Sequence, residues 1–222
     1  MALDTLLASH PIHLCPVQST IRNPKSAIDS VLRLAARHNY ESAHAHRVAT
    51  LAQQVFDELS ALHGLSQRER FWLRCAAILH DIAKDQPSHH KAVLRIVLST
   101  PDLPFDLVTR RIIGLTARYH RKALPLVSHP HFGDLSAKQR EVVRNLAGIL
   151  RVADALDSGH QGLVKTLSCE VLPNKIIGRC SLRRQASLEL RRVIYDRTIR
   201  KSILLEKVTG RRLTIEWAGD EG

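Results

Sequence analysis

The sequence predicts a mainly α-helical bundle followed by a small α+β subdomain of β-β-α-β order at the C-terminal end. Three observations carry this. Between residues 24 and 158 the apolar residues recur three to four positions apart, the spacing of one helix face. Two capping boxes, Ser66-Gln67-Arg68-Glu69 and Ser136-Ala137-Lys138-Gln139, mark helix starts. After Gly162 the pattern changes: VKTLSCEVL and IIGRCSL flank Pro173-Asn174-Lys175, a hairpin signal.

In chain order, residues 1–22 read as an irregular lead-in. Asn23-Pro24 opens the first helix, with Asn as the cap and Pro in the first turn. Helices are expected near 24–38, 41–63, 67–80, 89–98, 105–120 and 137–158, the second of them stopped by Gly64. The segment 121–135 is a loop containing Pro and His, whose His129 and His131 read as solvated. Past the hairpin, a long helix near 185–208 ends at Thr209-Gly210, and RRLTIEW forms the last strand. The organisation is therefore a lead-in over 1–22, a helical domain over 23–162 and a basic α+β subdomain over 163–222, with no internal repeat.

Composition narrows the class. At 222 residues the chain can bury a sizeable core, and aromatics at 4% leave Leu, Ile, Val and Ala to build it, which suits a bundle. Four cysteines without CxxC spacing give no disulfide framework, so a cytoplasmic location is expected. The N-terminal MALDTLLASHPIHLC has neither a basic n-region nor a sustained apolar run, so no membrane partner is expected. Lys and Arg number 33 against 21 Asp and Glu, a formal +12. Between Lys175 and Arg212 stand twelve basic residues and three acidic ones, a density that attracts a polyanion. Arg192, Arg197, Arg200 and Lys201 are the substrate-binding candidates there: Arg192 and Arg200 lie eight apart on the long helix, and Arg197 and Lys201 four apart. Polyphosphate or a polyphosphorylated nucleotide fits better than nucleic acid, because few aromatics interleave with the charges and no nucleic-acid-binding signature is present. A homodimer is left open.

The pair His80-Asp81 in CAAILHDIAKD holds the chemistry. An imidazole and a carboxylate at the end of an apolar helix can reach one divalent ion, with Mn, Mg, Zn, Fe and Co not distinguished. His44 lies four before Val48 and seven before Leu51, on the apolar stripe of its helix, and so turns inward. Asp154 continues the stripe of Ala147 and Leu150, where a carboxylate is costly unless a cation or hydrogen bonds compensate it. His44, His80, Asp81 and Asp154 are thus the metal candidates. His90 and His120 are further ones; of His89 and His90, only one can easily face the site. Whether one or two ions bind is open. Asp81, His120 and Lys84 are the catalytic candidates, and Arg118 and Arg121, flanking His120, are substrate-binding candidates, with solvation the other reading.

The order His, His-Asp, His, His, Asp resembles the HD superfamily of metal-dependent phosphohydrolases, which makes the bundle an HD domain. The stretches SAHAHRVATLAQQVFDEL, LHDIAKD, LTARYHRKALP, LSAKQREVVRNLAGILRVADALD and LLEKVTGRRLTI together resemble the C-terminal half of exopolyphosphatase / guanosine pentaphosphate phosphohydrolases, the Ppx/GppA family. The resemblance runs from about residue 30 to Trp217. It implies a helical HD-like domain with a small α/β domain after it, and a polyphosphate or nucleotide as substrate. Two departures stand beside it. The link from Asp81 to His89 is short, and the family's hydrolysis belongs to actin-like domains with Gly-rich phosphate loops, whereas the ten glycines here are scattered. HHKAVLRI lacks the GYP signature of cyclic-di-GMP phosphodiesterases. The expected function is metal-dependent hydrolysis of a phosphorylated nucleotide or polyphosphate; the alternative is a non-catalytic polyanion-binding or regulatory module.

Overall fold

The helical periodicity of residues 24–158 corresponds to seven helices in the computed structural model, which describes residues 24–84 and 89–218, the side chains of His89 and His90 excepted. The expected lead-in, the Asn23 cap and the orientation of His90 lie outside the described residues. The helices are α1 (Pro24–Arg37), α2 (Ser42–Glu58), α3 (Ser60–His63), α4 (Gln67–Leu79), α5 (His89–Ser99), α6 (Leu107–Arg118) and α7 (Ala137–Leu156). All but α3 bury an apolar stripe: Val31 and Leu34; Val48, Leu51, Val55 and Phe56; Leu73, Ile78 and Leu79; Val93 and Val97; Ile112 and Leu115; Leu146 and Leu150. Removing each such side chain from water contributes about 1.5–3 kcal/mol.

Two boundaries differ from the periodicity. The helix expected over 41–63 is interrupted at Leu59, which sits at φ −98°, ψ 12°. The cause is His63, whose Nε2–H donates to the carbonyl of Phe56 at 2.9 Å. An uninterrupted helix would give that carbonyl to the N–H of Ser60. The helix expected from 105 begins at Leu107, because the Asp106 carboxylate accepts the N–H of Thr109 at 2.7 Å and caps it there.

After Gly162 follow β1 (Val164–Val171), β2 (Lys175–Leu182), α8 (Leu188–Thr209) and β3 (Arg212–Trp217). The turn between β1 and β2 is closed by the N–H of Leu172 donating to Lys175 O at 2.9 Å. β1 and β2 run antiparallel, while β3 joins the other side of β2 in parallel. A parallel pair needs a crossover, and α8 is that crossover. The sheet is sewn to the bundle: Leu167 N–H donates to Gln54 of α2, and Cys169 N–H to Glu58. α8 packs along α7, tightly at Gly148, where a Cβ would stand 3.0 Å from the Leu205 backbone. No helix among the described residues is long and apolar enough to cross a membrane.

The caps Ser66, Asp106 and Ser136 of α4, α6 and α7 line one hollow of about 730 Å³. The three helices therefore start together and run the same way. Their carbonyl ends meet at the opposite pole, roughly 20 Å off at 1.5 Å per residue.

Candidate metal centre

Helices α4 and α6 end on one device. His80, the C-cap of α4, lies three residues after Ala77, and His120 lies three after Ala117. In each the ring turns back on its own helix, so that Nδ1–H donates to the alanine carbonyl, at 2.7 Å and 2.6 Å. His44, in the first turn of α2, donates its Nδ1–H to Asp157 Oδ2 at 2.8 Å. With every Nδ1 proton committed, Nε2 is the atom of each ring that offers a lone pair to a ligand once it carries no proton, and the three Nε2 atoms turn to the same cluster.

Two carboxylates meet them. Asp154 Oδ1, in the last turn of α7, stands 3.6 Å from His44 Nε2 and 3.9 Å from His80 Nε2. Asp81, in the turn after α4, brings Oδ1 to 3.3 Å from His120 Nε2 and Oδ2 to 3.7 Å from His80 Nε2. Donor atoms of His44, His80 and Asp154 lie within 4.8 Å of one another, as do those of His80, Asp81 and His120. The groups overlap at His80, whose single lone pair can serve one ion only. These five side chains therefore do not form two independent three-residue sites; a second ion would need donors beyond them.

The donor set fits a cation. His44, His80 and His120 are 1% exposed and Asp154 8%. His44 Nε2, His80 Nε2 and Asp81 Oδ1 are buried without a hydrogen bond, and such orphans in one cluster need a ligand to satisfy them. Each imidazole is oriented by a partner on its other nitrogen, as metal-binding histidines are. Imidazole nitrogen with carboxylate oxygen, and no thiolate, matches the chemistry of Mn, Fe, Co and Zn more closely than that of Mg. The carbonyl ends of α4, α6 and α7 add negative potential.

Burial disfavours a charged His80, the neighbouring His120 adds to this, and its pKa falls to about 4. His80 is neutral and ready to ligate. Burial acts the same way on His44, but Asp154 and Asp157 outweigh it and raise the ring to about 9. At 3.6 Å the Asp154 part is an attraction of charge rather than a hydrogen bond. Burial also pushes Asp81 and Asp154 upward; the surrounding imidazoles, with Lys201 at Asp154, prevail and hold both well below the usual carboxylate range.

Other residues expected at the site are placed further out. Lys84 is exposed three residues past Asp81, its Nζ 3.2 Å from Glu41 Oε2. Arg118 lies over the Tyr119 ring and lines a separate hollow with Lys91, Arg95 and His131. Arg121 is half-buried just after His120. Arg192 and Arg200 are exposed on α8, while Arg197 reaches back to the Ser158 carbonyl at 3.1 Å. Lys201 faces inward, its ammonium against Asp154 Oδ2.

Sequence reasoning missed Asp157 and His160. Asp157 accepts from His44, from Arg47 Nε at 3.0 Å and from the Gly162 N–H at 2.9 Å, tying α2 to the end of α7. His160 stacks flat on His44, with centroids 3.9 Å apart, and bonds Glu41 Oε2 through Nδ1 at 2.8 Å. Its backbone is left-handed, at φ 55°. The Asp154-x-x-Asp157 spacing was the available signal for the first; nothing periodic marks the second.

A search of curated proteins finds no match to the chain. Its sequence does match the family model described as Ppx/GppA phosphatase, domain III, over residues 28–190, well over half its length. The five converging side chains all fall inside that span, from α2 to the last turn of α7, and the chain belongs to the Ppx/GppA phosphatase family through its domain III.

Proposed function

We propose that the chain is a metal-dependent phosphohydrolase of the HD type, acting on a phosphoester or phosphoanhydride of a nucleotide or polyphosphate. The observation that carries this reading is the convergence of three oriented imidazoles and two carboxylates, with His44 Nε2, His80 Nε2 and Asp81 Oδ1 buried without a hydrogen bond. When bound, a divalent cation supplies Lewis acidity for activating water and polarising a phosphoryl oxygen. His44, His80, Asp81 and Asp154 would hold it, with His120 as a fifth donor. Asp157, Ala77 and Ala117 keep the rings in the ligating tautomer. Lys84, exposed three residues past Asp81, would attract a phosphorylated substrate. A polyanion-binding module is the second reading, favoured by the basic density of the tail.

The experiment is metal analysis of protein purified without chelator, followed by assay against nucleotides, polyphosphate and aryl phosphates. Asp81→Ala should strip most of the ion, lower the melting temperature and reduce turnover by roughly 100-fold or more. A variant with wild-type metal content and melting temperature would show the centre is misassigned. Full occupancy with no turnover on any substrate favours the binding module.

A further inference from the structure

We propose that Lys201 belongs to the centre, where it confines Asp154 to one ion-facing oxygen and presents its ammonium to an anion bound beside the ion. This rests on the metal reading of the site. Lys201 lies on α8, beyond the span shared with the family model, which ends at residue 190.

The two oxygens of Asp154 have separate neighbours. Oδ1 faces His44 and His80 at 3.6 Å and 3.9 Å, while Oδ2 is held by Lys201 Nζ. A carboxylate with both oxygens free can chelate an ion; one with an oxygen taken by ammonium offers a single donor. The lysine does not wander into this position. The Lys201 carbonyl accepts Arg151 Nε at 3.2 Å, and the same guanidinium donates to Tyr119 O at 3.0 Å, just before His120. One turn further along α8, Leu205 abuts Gly148. The Lys201 side chain is 28% exposed and that of Asp154 11%, so the ammonium stands between the buried donors and water. An ammonium has three N–H donors, and Asp154 Oδ2 accepts one of them.

A fixed positive charge beside a dication opposes the cation and favours the anion. Removing it must therefore move the two affinities in opposite directions, which loss of a structural prop would not do. Lys201→Gln keeps a donor and removes the charge. The protein is titrated calorimetrically with Mn²⁺ alone and then, Mn²⁺-loaded, with inorganic phosphate at constant ionic strength. The variant should bind Mn²⁺ roughly tenfold more tightly and phosphate roughly tenfold more weakly, while Lys201→Arg stays close to wild type. Should Lys201→Gln not fold, acetic anhydride labelling of the wild type, read by mass spectrometry, answers instead: phosphate added to Mn²⁺-loaded protein should protect Lys201 several-fold. Weaker or unchanged Mn²⁺ binding in the variant, unchanged phosphate binding, or no protection overturns the proposal and leaves the metal reading intact. A wild type that takes up no Mn²⁺ overturns the metal reading and this proposal with it.

Discussion

His44 and His80 sit 5.2 Å apart, ring to ring, yet their proton affinities are driven in opposite directions. His44 is raised from 6.5 to about 9, so the stability its proton supplies is full below the unfolded value and is lost as pH rises through 9. His80 is lowered to about 4, so the unfolded chain takes up a proton more readily, and stability falls as pH drops from 6.5 towards 4. In chelator, the melting temperature should peak around pH 6–7 and decline on both sides. A bound ion must displace the proton of His44, so the gap between loaded and chelated melting curves should widen between pH 6.5 and 9. Calorimetry across this range with EDTA or Mn²⁺ checks both; a chelated melting temperature that climbs steadily to pH 9 would contradict the raised His44. At this scale the sequence was legible where residues lie on an apolar stripe or end one. His44, His80, Asp81 and Asp154 could be aligned that way, and the structure brings them together. His160 follows a helix end, where no period exists to say which way a ring points. Lys201 read as one more charge on a basic helix, because spacing within α8 says nothing of what α7 sets opposite it.

Among the elements, helix starts were legible through Ser66 and Ser136, whose capping boxes are both formed. The break at Leu59 was not, since it depends on the His63 ring folding back on Phe56. Nor was the parallel placing of β3 beside β2, a tertiary choice made by where α8 docks. That docking turns on Gly148. Alanine there would gain about 1 kcal/mol of helix propensity. It would also press on the Leu205 backbone, which cannot rotate away, and overpacking of that kind costs about 1–3 kcal/mol. Gly148→Ala should thus lower stability in urea melts; a variant as stable as wild type would mean that α8 shifts freely along α7.

Taken whole, the molecule carries its charge unevenly, with twelve basic residues against three acidic between Lys175 and Arg212. Arg192, Arg197 and Arg200 lie exposed on α8, outside the buried donor cluster. Reversing all three to Glu should weaken polyphosphate binding and flatten its salt dependence, with bound metal unchanged, because the released counterions scale with the phosphates neutralised. Filter binding from 50 to 300 mM salt measures the slope, and an unaltered slope would leave these arginines as a solvated face.

The shared direction of α4, α6 and α7 has a consequence for motion. The ends of separate helices ordinarily loosen one at a time. Here His80, His120 and Asp154 stand at or just after the last turns of three helices and converge with one another. Unwinding any one removes a partner from the other two. The three carbonyl ends therefore open together or stay shut together, and amide exchange in all three last turns should slow in concert when the cluster is filled.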